Sequence, residues 1–311
     1  MSEKNKILVI LGPTATGKSD LAVKLAKKYN GEIISADSRQ VYKGLNIGTG
    51  KITKKEMWGI PHHMLDVVSP KKVFSVAEWQ KQTQKIIIKI ISREKLPIIC
   101  GGAGFYIQSI VDGITLPKVP PNKTLRKKLE KKSLVDLQKI LARLDPRRFS
   151  NIDIKNPVRL IRAIEISTEL GKVPPQKPMS KSLFDILQIG LTLPSNEVKN
   201  RIHIRLLARI REGMIKEAKN LHKHGLSWKR MRELGLEYRY LSKLLNPKSD
   251  LKNSKGLTFG MPEFTQKLEA EIWHYAKRQI TWFKRDKKIK WFNPNQTKNI
   301  DKEVGNFLRK T

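Results

Sequence analysis

Cysteine is almost absent: Cys100 is the single one in 311 residues. One thiol cannot close a disulfide within the chain, nor build a cysteine-based zinc site. Long apolar runs are missing as well. The first, Ile7–Leu11, is too short and too soon interrupted for a signal peptide or a membrane span, so a soluble cytoplasmic protein without a membrane partner is expected. No internal repeat and no coiled-coil pattern occurs, which predicts a monomer with no obligate protein partner. Acidic residues are scarce, 28 against 63 lysines and arginines, for a net charge of +35. An excess of this size attracts polyanions: RNA, DNA or an anionic surface. A uniformly lysine-rich proteome would account for part of it. With 39% hydrophobic residues, the chain can bury the core of one large domain or two smaller ones.

What is present is organised around Gly12-Pro13-Thr14-Ala15-Thr16-Gly17-Lys18-Ser19. It fits the phosphate-binding pattern G-x-x-x-x-G-K-[ST] at each fixed position. The apolar run Ile7–Leu11 before it suits a buried strand, and Leu21, Ala22, Leu25, Ala26 and Tyr29 after it recur at helical spacing. A strand, a glycine turn and a helix start gather backbone N–H groups at the positive end of a helix dipole, where a di- or triphosphate can sit. Lys18 would add charge to the outer phosphate oxygens, and the Ser19 hydroxyl would be a ligand for an accompanying Mg2+.

Glu32–Asp37 reads as a second strand, with Asp37 at its carboxyl end. Ligand chemistry in open α/β sheets takes place outside those ends, so Asp37 belongs on the rim of the phosphate loop; the competing role is an N-cap. His62 and His63 are adjacent on an extended chain and point apart, a poor metal pair. Val76–Glu94 reads as a helix, and Leu96–Cys100 as a third strand ending in a second glycine-rich turn, Gly101-Gly102-Ala103-Gly104. From Pro117 the texture changes. Basic helical patterns follow, with Leu134, Leu137, Leu141 and Leu144 on one face and Arg159 and Arg162 on another, until Pro174, Pro175 and Pro178. Ile186–Leu193 returns to strand character. Val198–His224 reads as one long helix with an Arg201, Arg205, Arg209 ladder, whose self-repulsion a bound anion would offset. Met231–Tyr238 reads as a turn, Asn246–Gly260 as a mobile loop, and Pro262–Lys288 as a last long helix carrying Arg278, Trp282 and Arg285 on one face. Cations interleaved with an aromatic suit RNA, though the ring could equally be core. The organisation expected is an α/β P-loop core with a parallel sheet in two parts, 1–116 and 186–311, interrupted by a helical insertion, 117–185.

Six segments together resemble the tRNA dimethylallyltransferases, also called isopentenyl-tRNA transferases. They are GPTATGKS at 12–19, ISADSRQVYKGLNIGTGK at 34–51, PHHMLDV at 61–67, GGAGFYI at 101–107, NPVRLIRAIEI at 156–166 and AKRQITWF at 276–283. The resemblance implies a P-loop-like core whose insertion clasps a tRNA anticodon stem-loop. The implied reaction moves a dimethylallyl group from dimethylallyl diphosphate to the exocyclic amine of the adenosine just 3′ of the anticodon. By the same resemblance the loop Gly12–Ser19 holds the diphosphate, Lys18 and Arg205 neutralise it, Ser19 binds Mg2+, and Asp37 takes the amine proton. Contacts to tRNA are implied for Asp37, Ser38, Arg39, Gln40, Ala103, Arg126, Arg159, Arg162, Arg232, Lys277, Arg278, Gln279 and Trp282. Ala103 stands where the family has threonine, Gly235-Leu236-Glu237-Tyr238 replaces a Gly-Tyr-Lys-Glu-like turn, and Trp273 replaces an arginine. Two other readings stay open on the residues alone: a P-loop kinase or ATPase with Asp37 near Mg2+, and an RNA-binding protein whose glycine loop is structural.

Overall fold

The alternation of apolar residues in the strands decides the architecture. In β1 (Asn5–Leu11), Ile7, Val9 and Leu11 enter one buried cluster while Leu8 and Ile10 enter another. Successive strand residues point to opposite faces, so a strand buried on both sides must lie between two helical layers. The computed structural model describes residues 5–175, 184–246 and 260–309. These form two compact units, one from Met1–Asp112 with Lys181–Thr311, the other from Gly113–Ser180.

The first unit starts with β1, then α1 (Lys18–Lys28), β2 (Gly31–Ala36), β3 (His62–His63), α2 (Val76–Ile91), β4 (Leu96–Gly101) and α3 (Gly104–Val111). The second unit is helical: α4 (Lys123–Leu129), α5 (Leu134–Leu144), α6 (Pro146–Ser150) and α7 (Pro157–Leu170). The first unit resumes with β5 (Phe184–Leu191), α8 (Ser195–Arg211), α9 (Met214–Lys223), α10 (Trp228–Glu233), α11 (Leu236–Leu245), α12 (Met261–Phe283), β6 (Lys290–Phe292) and α13 (Thr297–Arg309).

All six strands are parallel, in the order β3-β2-β4-β1-β5-β6. The chain leaves β1 toward one side of the sheet and later returns to the other, so the strand order reverses at β1. A topological switch point of this kind opens a crevice outside the carboxyl ends of the strands, which is where the Gly12–Ser19 loop lies. One face of the sheet packs on α2, α3, α8, α11 and α12, and the other on α1 and α13.

Several elements differ from the sequence expectation. The helix expected over 198–224 is two helices. The break is at Gly213, whose φ of 103° is left-handed and costs glycine nothing. Met231–Glu233 is helical, so the expected turn shrinks to Leu234–Gly235. The last long helix stops at Phe283, and β6 follows within nine residues. In the second unit Leu137 and Leu141 are buried with α7, while Leu134 and Leu144 at the ends of α5 stay exposed. Pro178 and nearly all of the loop expected at 246–260 lie outside the described residues.

Candidate active site

The phosphate loop is shaped by sterics. At Gly12 φ is 142°, and an added Cβ would meet Leu191 O at 2.5 Å, so β5 presses directly on the loop backbone. Thr16 Oγ1 and Lys18 Nζ both donate to Pro13 O, at 2.9 and 2.5 Å, and close the loop on itself. The Thr14 N–H donates to Gln279 Oε1 of α12 at 2.9 Å, so this N–H points away from the cradle. The Ser19 side chain is exposed on the first turn of α1 and makes no hydrogen bond among the described residues.

Two cations meet there. Protein surrounds Lys18 on most sides, and its pKa stands at about 8, lowered by this desolvation and by Arg205 against the opposite pull of Cys100 and Asp37. Arg205 projects from α8, and its Nη2 would lie 3.4 Å from a Cβ at Gly50. It is exposed to solvent, with protein packed around its base. Its pKa is lowered by desolvation, then by Arg209. The arginine ladder is only partly unpaired. Arg201 bonds Glu197 at 2.7 Å, and Arg209 bonds Gly48 O at 2.9 Å and Glu237 at 3.3 Å. The Arg205 guanidinium has no hydrogen bond or ion pair among the described residues, so an anion has one rung of the ladder to occupy rather than three.

Asp37 follows β2 directly. Its Oδ1 accepts the N–H groups of Arg39 at 2.7 Å and Gln40 at 3.3 Å. The capping role and a chemical role therefore coexist: one oxygen fixes the turn, and the other is available. Both oxygens belong to a half-buried side chain on the same rim as Lys18. Gln40 bridges Ser35 to Thr49 O and Gly50 O, and Arg39 reaches Glu233 O and lies across Gly235. Ser38 is half-buried beside them.

The second glycine turn sits between these groups, because β4 lies between β2 and β1. Each of its glycines has a packing reason. A Cβ at Gly101 would meet Ala36 O at 2.2 Å, one at Gly102 would meet Gln279 Nε2 at 2.2 Å, and one at Gly104 would meet Trp282 Cδ1 at 2.3 Å. Ala103 is half-buried, and its N–H bonds Ala36 O at 3.1 Å.

The residues with implied tRNA contacts divide. Arg232, Lys277 and Arg278 are exposed in the first unit, and Arg159 is exposed in the second. Arg126 is held in a bidentate pair with Glu165, at 2.7 and 2.6 Å, and Arg162 bonds Glu165 at 3.3 Å and Val119 O at 2.8 Å. Trp282 packs on Gly104 and meets Phe105 edge-on at 6.4 Å, with Arg285 5.6 Å above its ring. Gln279 is buried, with both ends of its amide bonded to backbone, so its side chain is committed inside the protein. His62 bonds Ile60 O, and His63 bonds the buried Glu32.

Three features carried no sequence signal. Glu217 accepts the N–H groups of Asn46, Ile47 and Gly48 and the Tyr238 hydroxyl, pinning the strand-to-loop segment beside Arg209. Burial raises the phenols of Tyr106 and Tyr275, and the Asp37 charge adds to both shifts. No group of three His, Cys, Asp or Glu residues suited to a metal occurs among the described residues. The donors present are hydroxyl and carboxylate oxygens, which suit a hard cation such as Mg2+ shared with phosphate oxygens.

Comparison with known proteins gives a consistent result. The IPP transferase family profile matches residues 40–286. A tRNA dimethylallyltransferase 2 of Treponema denticola is 42% identical over 93% of this chain and 94% of its own. A tRNA dimethylallyltransferase of Anoxybacillus flavithermus is 37% identical over 97% and 95%. Among solved structures, the tRNA isopentenylpyrophosphate transferase of Bacillus halodurans superposes with a TM-score of 0.71 at 31% identity, covering 98% of this chain and 97% of that one. A eukaryotic dimethylallyltransferase captured acting on tRNA gives 0.72 at 26% identity, covering 89% and 69%.

Proposed function

Since the chain belongs to the IPP transferase family, the tRNA dimethylallyltransferases, we propose that it transfers the dimethylallyl group of dimethylallyl diphosphate to an adenosine of tRNA. The acceptor is the exocyclic N6 amine of the adenosine 3′-adjacent to the anticodon, giving N6-isopentenyladenosine. The observation that carries this reading is the pairing of a cation-lined phosphate loop with a carboxylate on one sheet rim, Lys18 and Arg205 against Asp37.

The diphosphate rests on the N–H groups from Ala15 to Ser19 at the start of α1, where the helix dipole favours negative charge. Lys18 and Arg205 hold the charge that grows on it as the allylic C–O bond breaks. Ser19 is the residue that would hold Mg2+, which when bound supplies further neutralisation at the leaving oxygens. The amine nitrogen forms the new C–N bond and loses a proton to the free oxygen of Asp37; diphosphate leaves. The acceptor base has to leave its stack to reach this rim.

Exposed cations fit the RNA partner: Arg232, Lys277 and Arg278 in the core unit and Arg159 in the helical unit, which we read as the anticodon clasp. Arg126 and Arg162 would shape that clasp through Glu165. No described helix is long and apolar enough to cross a membrane. A monomer acting in the cytoplasm completes the reading. To test it, the protein is incubated with Mg2+, dimethylallyl diphosphate and unmodified tRNA, and the digested nucleosides go to mass spectrometry. Prenylated adenosine at the position 3′ of the anticodon supports it. ATP turnover without prenylation would replace it with a kinase or ATPase.

A further inference from the structure

Gln279 lies on α12, far in sequence from both glycine turns, yet it touches each of them. Its Oε1 accepts the Thr14 N–H at 2.9 Å, and its Nε2 donates to Gly102 O at 2.9 Å. The side chain is buried, 6% exposed, so neither bond is exchanged for water. The amide thus spans the loop that holds the diphosphate and the loop that lies beside Asp37, as a rung spans two strands. The two loops leave neighbouring strands, β1 and β4, paired up to Leu11 and Gly101, so the rung acts on the segments beyond the ladder. Gly102 leaves the space for the rung, since a Cβ there would meet Nε2 at 2.2 Å. One turn further along α12, Trp282 fills the space left by Gly104 of the same loop.

We infer that Gln279 is a positioning residue for the transfer reaction: it fixes the separation of the two glycine turns, and with it the distance between the allylic diphosphate and the accepting amine. The inference rests on the reading given above for what the two loops hold. It replaces a direct tRNA contact for this residue, because both polar ends of the side chain are already used. Distance control acts on the chemical step, as a displacement of about 1 Å between reactants costs on the order of a hundredfold in rate.

The test uses Gln279→Leu, which keeps bulk and removes both bonds, and Gly102→Ala, which pushes the amide aside. The atom an alanine strikes is the end of a side chain, so the loop backbone keeps its path. Expected for each variant is a fall in kcat of about a hundredfold, with KM for tRNA and for dimethylallyl diphosphate within about threefold of wild type. Gly102→Ala added to Gln279→Ala should cost almost nothing further, because the atom it strikes is gone. A rise in KM for tRNA at unchanged kcat would overturn the inference in favour of an RNA contact. A lowered melting temperature with unchanged kcat and KM would reduce the residue to a packing role. Hydrogen exchange of the 12–17 peptide, read without any substrate, separates the inference from the reaction assigned above. Faster exchange at Thr14 in Gln279→Leu is expected whatever the substrate, and unchanged exchange would sink the clamp. Absence of prenyl transfer by the wild type would sink only the reaction.

Discussion

Lys18 offers a quantitative handle on the site. Its pKa stands at about 8 because protein replaces water around the ammonium and Arg205 adds a like charge. The charge of a bound diphosphate outweighs both effects, so the pKa rises in the complex and binding takes up a proton wherever free Lys18 is neutral. The sign follows: affinity is flat below pH 8 and is lost as pH climbs above it, until the higher pKa of the complex is reached. Between pH 7 and pH 9 the protonated fraction of free Lys18 falls about tenfold, and its share of the affinity for inorganic diphosphate should fall about tenfold with it, near 1.4 kcal/mol, read as the difference from Lys18→Arg because the diphosphate itself also ionises in this range. The Cys100 thiol does not itself titrate between pH 7 and pH 9, since burial pushes it up to about 12. Titration calorimetry in buffers of different ionisation enthalpy reads both the affinity and the proton uptake. Lys18→Arg keeps a charge that does not titrate in this range and should flatten the profile. A pH-independent affinity with no proton uptake, or the same profile in Lys18→Arg, would refute the reasoning.

Asp37→Asn keeps an oxygen for the Arg39 and Gln40 N–H groups but cannot take a proton. It should lower kcat about 10²- to 10⁴-fold with tRNA affinity retained, whereas Asp37→Ala should lose both, as filter binding beside single-turnover kinetics would tell. Glu165 is 1% exposed beneath Arg126 and Arg162, each about a third exposed; Glu165→Gln should cost about 2 kcal/mol in chemical denaturation, below the fully buried value because water still reaches the arginines. The Glu165 carboxyl is held below its ordinary value against the cost of its burial, by the Arg126 bond first and then by the Asn122 N–H. Its stabilisation is therefore present above the unfolded carboxylate pKa and is lost as pH falls through the folded one, so the gap between wild type and Glu165→Gln should close in acid. Gly12→Ala should destabilise by about 1–3 kcal/mol from backbone strain alone, and by more if β5 shifts away from the loop.

The layers, the phosphate loop and the place of Asp37 were legible because each is written in contiguous residues. An apolar run, a glycine pattern and a polar residue at a strand end are local signals. The division of the 198–224 helix was not legible, because a glycine inside a helical period disturbs no spacing, and only its φ of 103° shows the turn. The edge strands β3 and β6, two and three residues long, are too short for alternation to register. Arg209 read as a free cation because Glu237 is distant in sequence, and Arg201 because the helix was expected to start at Val198, one residue past its i,i+4 partner Glu197. Gln279 was legible as part of a family segment but not in its contacts, which lie 265 and 177 residues away. Trp282 posed a choice between stacking on a base and packing; the close approach of Gly104 puts it in contact with the protein's own backbone.

The strand order β2-β4-β1 makes the sheet a ruler. Neighbouring strands stand about 4.8 Å apart, so the carboxylate following β2 and the loop following β1 are separated by two ladder steps, roughly 10 Å. Hydrogen bonding along three strands sets that interval at the strand ends, and beyond them the loops, with the Gln279 amide between two of them, set the final approach. A group handed across that interval meets a spacing set coarsely by the sheet and finely by the side chains that tie the rim loops together.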